Sequence, residues 1–307
     1  MNSEIKHILS LNDLSRDQIL SIVNKGIMLK KKKEKNNILS GRTLGLLFQK
    51  PSTRTRVSFE VAMYHFGGNA IYLNSNDLQL SRGETIADTA MTLSLYLDCL
   101  VARIYLHTEI IALAMNSNIP IINGLSNLHH PCQILADLMT ILEHKNRLKN
   151  LTLAWVGDGN NVCNDLLIAC SKLGIDIKAA IPKGFEPPQE VLDIVELQAS
   201  NTNTKFEIVR DPRTAAENAD IVVTDTFISI GDENDGISKR STFFPKYQVN
   251  RQLMSLSKKN SIFMHCLPAK RGEEVTSEVI DGDSSVIWDE AENRLHVQKS
   301  VLLFLLK

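Results

Sequence analysis

Leu44-Gly45-Leu46-Leu47-Phe48 runs into Gln49-Lys50-Pro51-Ser52-Thr53-Arg54-Thr55-Arg56, and this join decides how the chain is built. The first five residues form an almost continuous apolar run, as a strand buried on both faces requires. A helical period follows. Phe59, Ala62, Met63 and Phe66 fall at i, i+3, i+4 and i+7, and Gly67-Gly68 end it. Ser52, Thr53, Arg54 and Thr55 therefore occupy the first turn of a helix that leaves a strand end. Backbone N–H groups without intrahelical partners meet the positive end of the helix dipole there, which favours an anion. Three hydroxyls and the guanidinium groups of Arg54 and Arg56 add charge-assisted donors. The stretch lacks a Walker-type lysine loop. The competing reading is a capped helix with surface arginines, because Ser and Thr are common caps.

The same alternation extends in both directions. Apolar runs at 44–48, 70–73, 99–105 and 119–122 are separated by helical stretches. After the polar stretch 143–150 the pattern restarts, with runs at 151–156, 175–181, 206–209, 220–226, 261–265 and 286–288. Short buried strands alternating with helices predict parallel sheets, here two α/β domains in series with a boundary near residue 148. Nearer the start, Ser15-Arg16-Asp17-Gln18 reads as a helix start, and the lysine-rich run 30–35 as its solvated end.

With 307 residues the chain can bury two cores. A net charge of −1 gives no reason to expect a nucleic-acid or membrane surface. The five cysteines (Cys99, Cys132, Cys163, Cys170 and Cys266) have no disulfide-framework spacing, and Cys99 and Cys170 read as core. No apolar run reaches membrane-spanning length, and the first residues carry no secretory apolar segment, so the expected setting is the cytoplasm.

In open parallel sheets, ligands bind beyond the carboxyl ends of the strands. Ser52, Thr53, Arg54 and Thr55, then Asp77 and Gln79, Arg103, and His129-His130-Pro131-Cys132-Gln133 follow the early runs. Gly157-Asp158-Gly159-Asn160-Asn161, Asp225 with Ser229, and His265-Cys266 follow the later ones. Such a coincidence outweighs any single motif. The glycines at 157 and 159 form only part of a dinucleotide fingerprint, since Val162 takes the third glycine position. The histidines and cysteines lack the CxxC or HExxH spacing of a zinc site. Cys266 could be a small buried residue at a strand end, and Asp225 a loop cap.

Together, Ser52-Thr53-Arg54-Thr55-Arg56, His130-Pro131-Cys132-Gln133 and His265-Cys266-Leu267-Pro268 resemble the aspartate/ornithine carbamoyltransferase family, in the right order and across residues 5–307. The His-Cys-Leu-Pro motif, the Gly-Asp-Gly-Asn-Asn turn, the stretch 225–231 and Ala291-Glu292-Asn293-Arg294 resemble the ornithine branch. Residues 76–85 lack the Ser-x-x-Lys-Gly-Glu pattern of the aspartate branch. One departure is Ser229-Ile230-Gly231, where the family usually reads Ser-Met-Gly; isoleucine keeps the apolar character and roughly the volume.

The resemblance implies two doubly wound parallel-sheet domains with the active site in the cleft between them. It implies a carbamoyl-phosphate-binding domain of 1–147 plus 292–307 and an ornithine-binding domain of 148–291, because the C-terminal stretch returns to the first domain. The implied reaction is carbamoyl transfer from carbamoyl phosphate to the side-chain amine of L-ornithine, with no metal or organic cofactor. Ser52, Thr53, Arg54 and Thr55 would hold phosphate, while Arg103 and His130 polarise the carbonyl oxygen. Gln133 and the Leu267 backbone would hold the carbamoyl amide, with Cys266 alongside, and Arg294 would complete the site. Gln79 matches a position that reaches a neighbouring subunit's site, and a homotrimer or an assembly of trimers is implied. Asn161, Asp225, Ser229 and Ile230 match ornithine-binding positions, and Cys266 with Asp225 would steer the amine. Domain closure, with 232–238 as a moving flap, would bring the substrates together. A sister enzyme using putrescine or an acylated ornithine, a silent homologue and a nicotinamide oxidoreductase are the alternatives.

Overall fold

Nine of the apolar runs become strands, all parallel, in two separate sheets of a computed structural model that describes residues 7–227 and 244–307. The chain divides into two compact units, 1–139 with 292–307, and 140–291. Both divisions fall inside helices, one within Pro131–Lys145 and the other within Ile287–Leu306.

The first unit is organised on a four-stranded sheet. Its strands are β1 (Thr43–Phe48), β2 (Asn69–Asn74), β3 (Cys99–Arg103) and β4 (Ile121–Leu125), in the order β2-β1-β3-β4. β3 and β4 are buried along their whole length, whereas the edge strand β2 is only partly covered. Ile8, fully buried, makes a parallel bridge to Ile122 beside β4. The connecting helices are α1 (Arg16–Lys31), α2 (Thr53–His65), α3 (Ile86–Ser94), α4 (His107–Met115) and α5 (Pro131–Lys145).

Sequence signals act locally where expected. Ser15 closes a capping box with Gln18 at the start of α1. Phe59, Ala62, Met63 and Phe66, the apolar stripe that marks α2, are fully buried. Removing such a buried ring costs about 3–5 kcal/mol. The C-terminal helix Ile287–Leu306 joins this unit from residue 292 onward. Lys30 Nζ donates to Asn293 Oδ1 at 2.8 Å, and Ser300 Oγ to the Ile22 carbonyl at 2.8 Å. Buried Lys299 donates to the Glu34 carbonyl and lies 4.7 Å from the centre of the Phe66 ring.

The second unit carries a five-stranded sheet. Its strands are β5 (Thr152–Val156), β6 (Asp176–Ala180), β7 (Phe206–Val209), β8 (Ile221–Thr224) and β9 (Ile262–His265), in the order β7-β6-β5-β8-β9. Two helices here, α6 (Asn161–Leu173) and α7 (Gln189–Thr202), run alongside each other. Every residue of α6 is buried, so it lacks the polar face of a surface helix.

One expected strand is absent. Ile287 and Trp288 begin the C-terminal helix, and Val286 lies just ahead of it. Val286 N–H donates to the Phe263 carbonyl at 3.0 Å and Ser285 bridges Phe263, so the chain touches β9 once before turning helical. A three-residue apolar run carries too little periodicity to separate strand from helix.

Candidate active site

In each sheet the chain order reverses at one place, and the chemistry collects there. In the first unit the reversal lies between β1 and β3. Ser52 follows β1, and Arg103 ends β3 beside Phe48. In the second unit it lies between β5 and β8, which lead into the turn 157–161 and into Asp225. Connections leave a reversal point in opposite directions, which opens a crevice at the strand ends.

Ser52 caps α2, its hydroxyl accepting from Thr55 N–H at 3.3 Å. Thr55 is buried and its Oγ1 accepts from Arg294 Nη2 at 3.1 Å. Arg294 also donates through Nη1 to Gln133 Oε1 at 2.5 Å. Gln133 Nε2 in turn donates to buried Asp137 at 2.8 Å, one helical turn along α5. That bond fixes the amide so that its oxygen faces Arg294. His130, buried at the head of α5, has its pKa pushed well below the ordinary histidine range by burial and by the charges of Arg294, Arg103 and Arg54. It is therefore neutral at physiological pH. Lys50 is also pushed down, by burial and by Arg103. Thr53 is exposed on the first turn of α2, and Gln79 is exposed at the start of the short turn Gln79–Arg82.

Arg56 does not join this cluster. Its guanidinium lies 3.8 Å from the centre of the Tyr72 ring, and its Nε donates to Glu60 at 2.9 Å. Of the two arginines in the opening motif, only Arg54 bears on His130.

The second unit assembles a different group. Cys266 Sγ donates to Asp225 Oδ1 at 3.0 Å, and Asn160 Nδ2 donates to Asp225 Oδ2 at 2.8 Å. Asp225, Asn160 and the neighbouring Asn161 are buried. Gly159 precedes them because a β-carbon there would stand 2.3 Å from the Pro187 nitrogen. His265 is fully buried and both ring nitrogens are engaged. Nδ1 accepts from Leu267 N–H at 2.9 Å, and Nε2 lies 3.2 Å from Glu274 Oε1. Leu267 adopts φ +58°, a left-handed conformation unusual for a bulky residue, within this frame. Ligand-type atoms of Asp225, His265 and Cys266 lie within 4.8 Å of one another. These three could hold a metal only if His265 gave up one of its two bonds. Ser229, Ile230 and the stretch 232–238 lie outside the described residues.

These two groups carry the motifs of one family, and comparison with known proteins agrees along the whole chain. Residues 6–143 match "Aspartate/ornithine carbamoyltransferase, carbamoyl-P binding domain", and residues 149–305 match the corresponding "Asp/Orn binding domain". The chain belongs to the aspartate/ornithine carbamoyltransferase family. A relative from Cenarchaeum symbiosum (strain A), named ornithine carbamoyltransferase, is 53% identical over 306 residues, 99% of each chain. The anabolic ornithine carbamoyltransferase of Pyrococcus furiosus is 50% identical over 300 residues, 97% of this chain and 95% of that one. The solved structure of the ornithine carbamoyltransferase from that organism matches with a TM-score of 0.93 at 48% identity, covering 98% of this chain and 97% of the other.

Within this carbamoyltransferase framework, the supporting roles of Asp137, Glu274, Glu290 and of Asn160, itself inside the quoted turn 157–161, escape a reading of motifs alone. Asp137 orients Gln133, Asn160 holds Asp225, and Glu274 with Glu290 frames His265, whose N–H donates to Glu290 at 2.9 Å. The i, i+4 spacing of Gln133 and Asp137 on a helix could have revealed the first. Asn160 stands where a helix cap is expected. The buried glutamates carry no local signal.

Proposed function

We propose that this chain transfers the carbamoyl group of carbamoyl phosphate to the side-chain amine of L-ornithine, giving L-citrulline and phosphate. The observation that carries the reading is the division of charge. Three guanidinium groups surround a neutral His130 in one unit, and a buried carboxylate holds a thiol in the other. The relatives' printed name supports the choice of amine.

In the proposed reaction the amine nitrogen attacks the carbamoyl carbon, a tetrahedral intermediate forms, and the bond to the phosphate oxygen breaks with its electron pair. Negative charge grows on the carbonyl oxygen and on the leaving phosphate. Fixed donors aimed at those atoms lower the barrier, typically by about 3–4 kcal/mol for each well-placed group. Ser52, Thr53, Arg54 and Thr55 take the phosphate, and Arg103 and His130 the carbonyl oxygen. A neutral His130 can donate a hydrogen bond without adding charge. Gln133 Oε1 and the Leu267 carbonyl accept from the carbamoyl amide, Cys266 borders it, and Arg294 ties the Gln133 and Thr55 side chains together.

Ornithine is assigned to Asn161, Asp225, Ser229 and Ile230. At pH 7 an alkylammonium of lysine-like pKa is only about 0.04% neutral. The site must favour the free amine or take its proton, and the Asp225–Cys266 pair is the group proposed to do so. Orientation of two substrates can supply about 7–11 kcal/mol in favourable cases. The carbamoyl-phosphate part is assigned to 1–147 plus 292–307 and the ornithine part to 148–291. A homotrimer completed by Gln79 from a neighbour is part of the proposal. Met91, Leu95 and Tyr96 in the first unit support it, with Leu95 80% and Tyr96 72% exposed. Among the described residues no helix is long and apolar enough to cross a membrane. The five cysteines are unbridged thiols, which supports a reducing cytoplasm.

The test is ureido-product formation from carbamoyl phosphate offered ornithine, putrescine, N-acetylornithine and aspartate in parallel. Turnover with ornithine alone is expected. Turnover with another amine would move the chain to a sister activity, and silence with every amine would make it a silent homologue.

A further inference from the structure

Asn160 sits at the junction of two tasks. Its Oδ1 accepts from Val162 N–H and Cys163 N–H, both at 3.0 Å, so it caps α6. An amide has one oxygen and one NH2 group. With the oxygen committed to the helix, the NH2 group must point the other way, and it meets Asp225 Oδ2 at 2.8 Å. Cys266 Sγ occupies the other carboxylate oxygen, and His265 belongs to the same cluster. Asn160 and Asp225 are 65 positions apart in sequence and both are buried. The start of α6 thus fixes the plane of the carboxylate, which in turn decides which oxygen faces the thiol.

We propose that Asn160 is the positioning residue for Asp225, using the helix cap to lock its amide so that the carboxylate is held ready for the amino substrate. The inference rests on the proposed carbamoyl transfer to ornithine. It predicts a division of labour within the pair Asn160-Asn161, in which the first sets the carboxylate and the second addresses the substrate. A residue serving only as a cap would be replaceable by any good capping side chain.

Two variants separate these roles. Asn160→Asp keeps the cap acceptor but replaces the donor with a second carboxylate against Asp225. Asn160→Ser keeps a cap and removes the donor without adding charge. Wild-type turnover of ornithine is measured first, since its absence removes the underlying reading rather than this one. Given turnover, both variants should melt within a few degrees of wild type while losing kcat/KM for ornithine by about tenfold or more. KM for carbamoyl phosphate should stay within about twofold. In Asn160→Asp the acid limb of the pH–rate profile should move to higher pH, because two adjacent carboxylates cannot both ionise readily. In Asn160→Ser, which removes the donor but adds no charge, that limb should move by less. Wild-type kcat/KM for ornithine in either variant would overturn the proposal, as would a KM for carbamoyl phosphate raised by a similar factor. If Asn160→Asp fails to fold, the Asn160→Ser kinetics decide alone.

Discussion

The two units use one topological device for opposite electrostatic ends. Each has a parallel sheet whose order reverses once, with its polar residues at that point. The first unit gathers cations around a neutral histidine, with Arg54, Arg103 and Arg294 all bearing on His130. The second gathers neutral and weakly acidic donors around one carboxylate, with Asn160 and Cys266 on Asp225. Excess positive charge suits a dianionic leaving group, and a braced carboxylate suits an ammonium. The fold supplies the location, and the residue types at the strand ends supply the ligand.

Arg103→Met should break the cationic half most severely. Steady-state kinetics should show kcat/KM for carbamoyl phosphate falling about a thousandfold, the cost of losing a preorganised donor at a developing charge. Asp225→Asn should strike the other half alone. A loss of about a hundredfold in kcat/KM for ornithine is expected, with KM for carbamoyl phosphate within about twofold. If Asp225→Asn weakened carbamoyl phosphate equally, the division between the units would not hold. A smaller loss, about tenfold, is expected for Cys266→Ser, with a shifted pH profile. Full activity with an unchanged profile would show that the thiol has no specific part.

His130 offers a stability test of the same contrast. Its folded pKa lies below the unfolded value near 6.5, so above that pH both states are neutral and nothing is lost. As pH falls below about 6.5, the unfolded chain takes up a proton that the folded site refuses, and stability drops by up to about 1.4 kcal/mol per pH unit. Denaturant titrations of His130→Gln from neutral pH downward should lack that increment of slope. Smallest of all, Ser52→Ala should cost about 1 kcal/mol of stability through the lost helix cap, measured by the same titrations.

Much of this arrangement is legible in the sequence because its signals are local. The apolar runs give the strands, and the stripe from Phe59 to Phe66 gives α2 with its cap. The strand-end rule then puts Ser52, Arg103, His130, Asp225 and Cys266 at the right ends of their sheets. What is not legible depends on distance or on competition between partners. Arg294 meets Gln133 across 161 positions and Thr55 across 239, which no local period encodes. Arg56 reads as one more donor of the opening motif, and only the structure shows it held by Tyr72 and Glu60. Residues 286–288 read as a strand because three apolar residues carry too little period to tell a strand from the start of a helix. The division of the chain inside two helices also leaves no mark in composition, since a helix continues with the same period through it.

The most direct test of the contrast is titration calorimetry of carbamoyl phosphate into the protein and its Arg103→Met and Asp225→Asn variants. Wild type and Asp225→Asn are expected to bind alike, while Arg103→Met loses most of its affinity. Binding lost in Asp225→Asn and kept in Arg103→Met would contradict it.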